Sequence, residues 1–262
     1  MGLRTYFIDG TGVSIPDTPA MQDAFGQPTN QTPGGGFPVA RVLALFHAST
    51  GLLLKLITAS LRSHEVAQAA LTHDELQPGD VLVGDRAFGT FAHLAVLVRR
   101  GLHGVFRNHQ NRIVDFRSGR PHAVPGSHLA HPGLPRSQWV RSFGASDQLV
   151  AWYRPQSRPV WLTVAEYAVL PRLLQIRESA YRVIRPGFRV RSVTLATTLL
   201  DPVAYPAESL ANLYRARWGV ETNLTHLKTT LGMESISAGA CLYTVRSGFA
   251  ANLLNIGRAD AS

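Results

Sequence analysis

The chain has 262 residues, 45% of them hydrophobic, which excludes an intrinsically disordered protein and suffices for one large domain, or one domain plus an insertion, around a sizeable core. A balance of 26 Lys+Arg against 17 Asp+Glu, with a formal charge of +9 and a pI of about 10.4, suits a polyanionic partner, nucleic acid above all, though a merely basic protein would share it. Cys241 is the single cysteine, which excludes an intramolecular disulfide and a cysteine-based zinc site; with no signal-peptide pattern, the expectation is a reducing cytoplasm and no membrane.

In chain order, RTYFIDGTGVSI (4–15) has strand composition, with Asp9 in its middle. Residues 16–38 are rich in Pro, Gly, Asn and Gln and read as a long loop. PVARVLALFHAST and GLLLKLITASL read as a hairpin turning near Ser49-Thr50-Gly51, broken too often by polar residues to span a membrane. SHEVAQAALTHDEL reads as a helix with Ser63 as N-cap. DVLVGDRAF is a short buried strand ending at Asp85, TFAHLAVLVRRG a helix closed by Gly101, and HGVFRNH a strand. This order predicts an α/β layered core over 1–109. From 110 to 196 the texture turns Gly-, Pro- and Arg-rich, with strand-like runs at DQLVAWYR, RPVWLTVAEYAVL, SAYRVIR and FRVRSVTLATTLL; this predicts an inserted, basic, β-rich subdomain. The core resumes over 197–262 with a long helix, YPAESLANLYRARWGVETNLTHLKTTLGM, Pro206 in its first turn.

At roughly 100° per residue, Leu213, Val220, Leu224, Leu227 and Leu231 form the apolar stripe of that helix, and Tyr214, Arg217, Glu221 and Lys228 fall on an adjacent band. An i,i+4 Arg217–Glu221 pair alone is an ordinary surface feature. Charges at a core edge need partners, however, and two more carboxylates, Asp9 and Asp85, stand in or at the end of apolar strands. Singly each fits a turn or a cap. Together, in a basic chain, three carboxylates suggest two-metal phosphoryl transfer.

Asp9 in IDGT, Asp85 in GDRAF and Tyr214-x2-Arg217-x3-Glu221-x6-Lys228 resemble the DDE transposases of bacterial insertion sequences, in the group with the Y-R-E-K signature; SIPDTP and LATTLLD fit the same context. The resemblance covers nearly the whole chain. It implies a ribonuclease-H-like mixed sheet flanked by helices, with a β-rich insertion before the catalytic-Glu helix. It further implies that Asp9, Asp85 and Glu221 hold two Mg²⁺ ions, with Mn²⁺ able to substitute, for cleavage at transposon ends and strand transfer into target DNA. Tyr214, Arg217 and Lys228 would contact phosphates, with Arg86 as a weaker candidate. Trp218 would stack on an unpaired base or simply pack at the helix edge. A homodimer synapsing two DNA ends in the bacterial nucleoid is the implied assembly. An N-terminal end-recognition domain and a longer C-terminal extension are expected to be missing from a chain that starts eight residues before Asp9.

Two other readings compete: an inactive remnant that binds DNA by charge alone, and a metal-dependent nuclease of the same fold that never joins strands. Other features take plain readings. His73-Asp74-Glu75 reads as the solvated end of a helix, and His122, His128 and His131 as loop residues rather than zinc ligands. Gly34-Gly35-Gly36 reads as flexible loop, lacking the Lys-Ser/Thr of a phosphate-binding loop.

Overall fold

A computed structural model of the chain describes residues 2–28, 36–125, 133–183 and 192–218. The first strands are β1 (Thr5–Ser14), β2 (Val39–His47), β3 (Leu53–Ser60), β4 (Val81–Gly84) and β5 (His103–Arg107). They lie in the order β3-β2-β1-β4-β5; β2 is antiparallel to both its neighbours, and β4 and β5 run parallel to β1. Parallel neighbours need a crossover, and the helices supply it. α2 (Glu65–Ala70) lies between β3 and β4, and α3 (Phe91–Arg99) between β4 and β5. The chain has the mixed α/β sheet flanked by helices that the resemblance implies.

The sheet does not stop at β5. β6 (Ser137–Gly144), β7 (Asp147–Tyr153), β8 (Leu173–Arg182) and β9 (Ser192–Thr197) extend it in the order β5-β9-β8-β7-β6, all antiparallel. The strands of the 110–196 region therefore continue the core sheet through the pairing of β9 with β5 (Val105↔Thr197, Arg107↔Leu195).

Both faces of the central strands are covered, which is why VLVG in β4 is buried at every position. One face packs Ile8, Leu43, Leu82 and Phe106 against Phe91, Leu94 and Leu97 of α3. The other packs Phe7, Phe46, Val83 and Val105 against Leu210 and Tyr214 of α5 (Ala207–Ala216).

Several local expectations change. The 16–38 loop contains a helix, α1 (Pro19–Phe25), capped by Thr18 with Pro19 in its first turn, and its Met21 is buried beneath Ile15 and Ala40. Ser63 does not cap α2: its hydroxyl donates to the Ser60 carbonyl, and His64 is the N-cap. RPVWLTVAEYAVL is not a strand; Thr163 and Glu166 form a reciprocal capping box that starts α4 (Val164–Ala168). Pro206 stands at the N-cap of α5 rather than inside its first turn. The stretch of the long helix from 219 onward, with Glu221 and Lys228, lies outside the described residues.

Candidate active site

β1 and β4 pair in parallel with Phe7 opposite Val83, and Asp9 and Asp85 each follow two residues later. With a side-chain period of two, Asp9 shares the face of Phe7, and that face is the one α5 covers. The two carboxylates thus arrive at one level of the sheet, Asp85 just past the end of β4 and Asp9 in the middle of β1, where its parallel pairing with β4 stops. Asp85 opens a tight turn in which its Oδ1 accepts the amide of Ala87 at 2.7 Å. Arg86, the next residue, is exposed and bonds Gln110, tying this turn to the segment after β5.

α5 brings the basic part of the signature to the same place. Tyr214 is 2% exposed and Arg217 5% exposed, so both belong to the buried face of the helix, not to a band beside it; Leu213 is the residue at the edge. Arg217 sits there because a carboxylate receives it: its Nη1 lies 3.4 Å from Asp9 Oδ1, and its guanidinium lies 5.4 Å from the Tyr214 ring centre. Burial pushes the Tyr214 hydroxyl up, with Asp85 adding to the rise while Arg217 and Arg107 oppose it. Tyr214, Arg217, Asp85 and Asp9 are accordingly one cluster. Trp218 is half-buried at the same end of the helix.

The start of α5 is anchored from β8. Arg177, fully buried, forms a forked pair with Asp147, its Nε 2.8 Å from Oδ1, and donates to the Tyr205 carbonyl at 2.6 Å. Asp201 caps the same turn by accepting the amides of Val203 and Ala204. β7 and β8 thereby fix where the helix that carries Tyr214 begins.

Sequence reasoning missed two neighbours. Arg107 at the end of β5 and Tyr181 on β8 both interact electrostatically with Tyr214; Tyr181 is pushed up to about 12, chiefly by burial. Arg107 carried the signal used for Asp9 and Asp85, a charge in or at the end of an apolar strand. Beyond β5 a cavity of about 500 Å³ is lined by His109, Arg112, Leu134 and Arg136; the Arg112 guanidinium lies 3.6 Å from the Trp152 ring centre, against the face of the sheet that α3 covers.

As metal donors, two carboxylates on adjacent strands are the hard oxygen ligands that Mg²⁺ takes, and Asp9 and Asp85 fit that chemistry. Among the described residues no group of three metal-ligating side chains converges; Glu221 lies outside them. His73 is buried, against the expectation of a solvated run, while Asp74 and Glu75 stay at the surface paired with Arg100 and Lys55. His122 bonds the Tyr153 hydroxyl at 3.0 Å; His128, His131, Gly34 and Gly35 lie outside the described residues. No described helix is long and apolar enough to cross a membrane.

The family described as "Transposase DDE domain" matches residues 1–238. Two relatives come from Escherichia coli (strain K12). The transposase InsG for insertion sequence element IS4 is 22% identical over 231 residues, 88% of this chain and 45% of its own length. The putative transposase InsZ is 27% identical over 160 residues, 60% of this chain and 52% of its own length. The chain thus spans about half the length of these relatives. Among solved structures, the piggyBac transposase synaptic complex with hairpin DNA matches with a TM-score of 0.46 and 11% identity, over 86% of this chain and 40% of that one.

Proposed function

The chain belongs to the DDE transposase family, and on that premise we propose that it cuts DNA at the ends of an insertion sequence and joins the freed end to target DNA. The observation that carries this reading is the level placement of Asp9 and Asp85 on β1 and β4, with Tyr214 and Arg217 of α5 closing over them. Asp9, Asp85 and Glu221 would hold two Mg²⁺ ions. When bound, such ions activate a water or a DNA 3′-hydroxyl and stabilise the attacking and leaving oxygens of an in-line displacement.

The chain's own groups supply orientation and charge. Arg217 offsets the buried charge of Asp9 and holds that side chain against α5. Tyr214, a phenol protonated at neutral pH and pushed further up by burial, can donate to a phosphate oxygen. Arg86 and Lys228 would take further phosphates of the same strand, and Trp218 an unpaired base. Two such chains would act on two synapsed ends.

The test incubates the purified chain with Mn²⁺ and a duplex carrying a pre-cut end of the element that encodes it, beside Asp85→Asn and Glu221→Gln. Joined product from the wild type alone is the expected result. Cleavage without joining would identify a nuclease of this fold instead. DNA binding that falls steeply with salt, with neither reaction, would leave only the charge-driven remnant.

A further inference from the structure

The turn that presents Asp85 is gripped from behind by two buried imidazoles. His93 on α3 is 0% exposed and His73, in the short helical turn before β4, is 2% exposed. Their rings stack, with centres 5.1 Å apart and planes 6° from parallel, and their Nε2 atoms are 3.0 Å apart. His93 Nδ1 lies 2.8 Å from the carbonyl oxygen of Phe88.

The chemistry of the partners fixes the protons. A carbonyl only accepts, so His93 must carry its hydrogen on Nδ1. Its Nε2 is then a lone pair, and His73 must donate to it from its own Nε2. His73 Nδ1 is left as an acceptor with no hydrogen-bond partner among the described residues. The result is a directed chain: His73 donates to His93, and His93 donates to Phe88.

Phe88 lies three residues beyond Asp85 and is the pivot of the turn. Its carbonyl also receives the Thr90 amide at 2.9 Å, and its own amide returns to the Asp85 carbonyl at 3.3 Å. Its ring is buried against β4, which is possible because Gly84 has no side chain: a Cβ there would come within 2.8 Å of the Phe88 ring and of Ile8. Phe88 is thus held by its ring from one side and by His93 from the other, and the carboxylate of Asp85 leaves from the same turn.

We propose that His93, supported by His73, is a positioning residue that sets the Asp85 turn through the Phe88 carbonyl. Its link to catalysis rests on the reading of Asp85 as a metal ligand given above. A leucine at 93 would fill the core as well; only a side chain with a donor at the Nδ1 position can hold the turn.

The test compares amide hydrogen exchange and Mn²⁺ calorimetry for wild type, His93→Phe, His93→Asn and His73→Leu. Asn places an N–H near the position of Nδ1 but packs poorly, and Phe does the reverse. Exchange of the Ala87–Thr90 amides is expected to rise at least about fivefold in His93→Phe and to stay close to wild type in His93→Asn, with β7 and β8 amides unchanged as the internal control. Mn²⁺ affinity should fall about tenfold in His93→Phe and stay near wild type in His93→Asn. Equal loosening in the Phe and Asn variants, or none in either, would overturn the proposal. Should His93→Phe unfold, faster turn exchange in His73→Leu but not in His93→Asn supports it, and the opposite pattern overturns it. A wild type that takes up no Mn²⁺ would sink the metal reading, while the exchange comparison still decides whether His93 holds the turn.

Discussion

Lowering the pH from 7.5 to 5 should strip several kcal/mol from the folded chain through His73 and His93 alone. Burial, reinforced by repulsion from His93 and Arg100, pushes His73 down to about 3; burial pushes His93 down to about 4, against a smaller upward pull from the Phe88 carbonyl. Once unfolded, both titrate near an ordinary value of about 6.5. Between these limits the unfolded chain binds more protons than the folded one. The contribution is therefore fully present above about pH 6.5, declines as the pH falls through the window, and is gone below the folded values. At pH 5 each histidine stays neutral when folded and forfeits about 2 kcal/mol, so the pair forfeits about 4 kcal/mol. His103, also lowered by burial, acts in the same direction. Urea unfolding of wild type and of a His73→Leu/His93→Phe double variant at both pH values measures this. A wild type equally stable at pH 5 and 7.5, or a double variant that loses as much as wild type, would refute the reasoning.

Other substitutions test the frame around the site. Arg177→Met strands the Asp147 carboxylate and frees the Tyr205 carbonyl, and should cost about 3–5 kcal/mol by chemical denaturation. Gly84→Ala drives a methyl into Ile8 and Phe88, and should cost about 1–3 kcal/mol with a shifted Asp85 turn visible in amide chemical shifts. Arg217→Ala leaves Asp9 beside α5 without this guanidinium; because Asp9 is partly open to water, a loss of about 1–3 kcal/mol is expected, less in Arg217→Lys, read from thermal unfolding. Asp85→Asn should reduce DNA cleavage by more than about a hundredfold, since groups that merely support metal ligands cost about 10–100-fold, with stability near wild type.

The carboxylates were legible because a charge in or at the end of an apolar strand is an anomaly that needs a partner, and YFID and VLVGD both show it. Periodicity found α3 and the β2–β3 hairpin for a related reason: each has one dominant period and a clear terminus, such as Gly101 in its left-handed conformation at φ +71. It failed where tertiary packing overrides composition. Nothing local says that Met21 would be buried and so draw a Pro- and Gln-rich segment into a helix. The wheel put Tyr214 and Arg217 beside the core because the stripe was set by Leu213 and the apolar residues after it; only the distant strand carrying Asp9 makes an inward arginine tolerable. His73 was misread for the same reason, its partner being a histidine on another helix. The capping box at Thr163–Glu166 was readable and overlooked amid β-branched neighbours.

The pairing of β9 back onto β5 has a consequence for how such a chain can change over generations. The Asn108 amide donates to the Thr194 carbonyl at 2.7 Å, next to the Arg107↔Leu195 pair, so the polypeptide leaves the core and rejoins it across a single pair of strands. To the Asp9–Asp85 pair, everything between those points is the loop of one wide hairpin. Closing such a loop costs little more as it grows, about 0.6 kcal/mol for each doubling. Lineages can therefore lengthen or shorten the connections within the excursion, provided β7 and β8 keep the Asp147–Arg177 pair that anchors α5, while the two strands bearing the carboxylates keep their register.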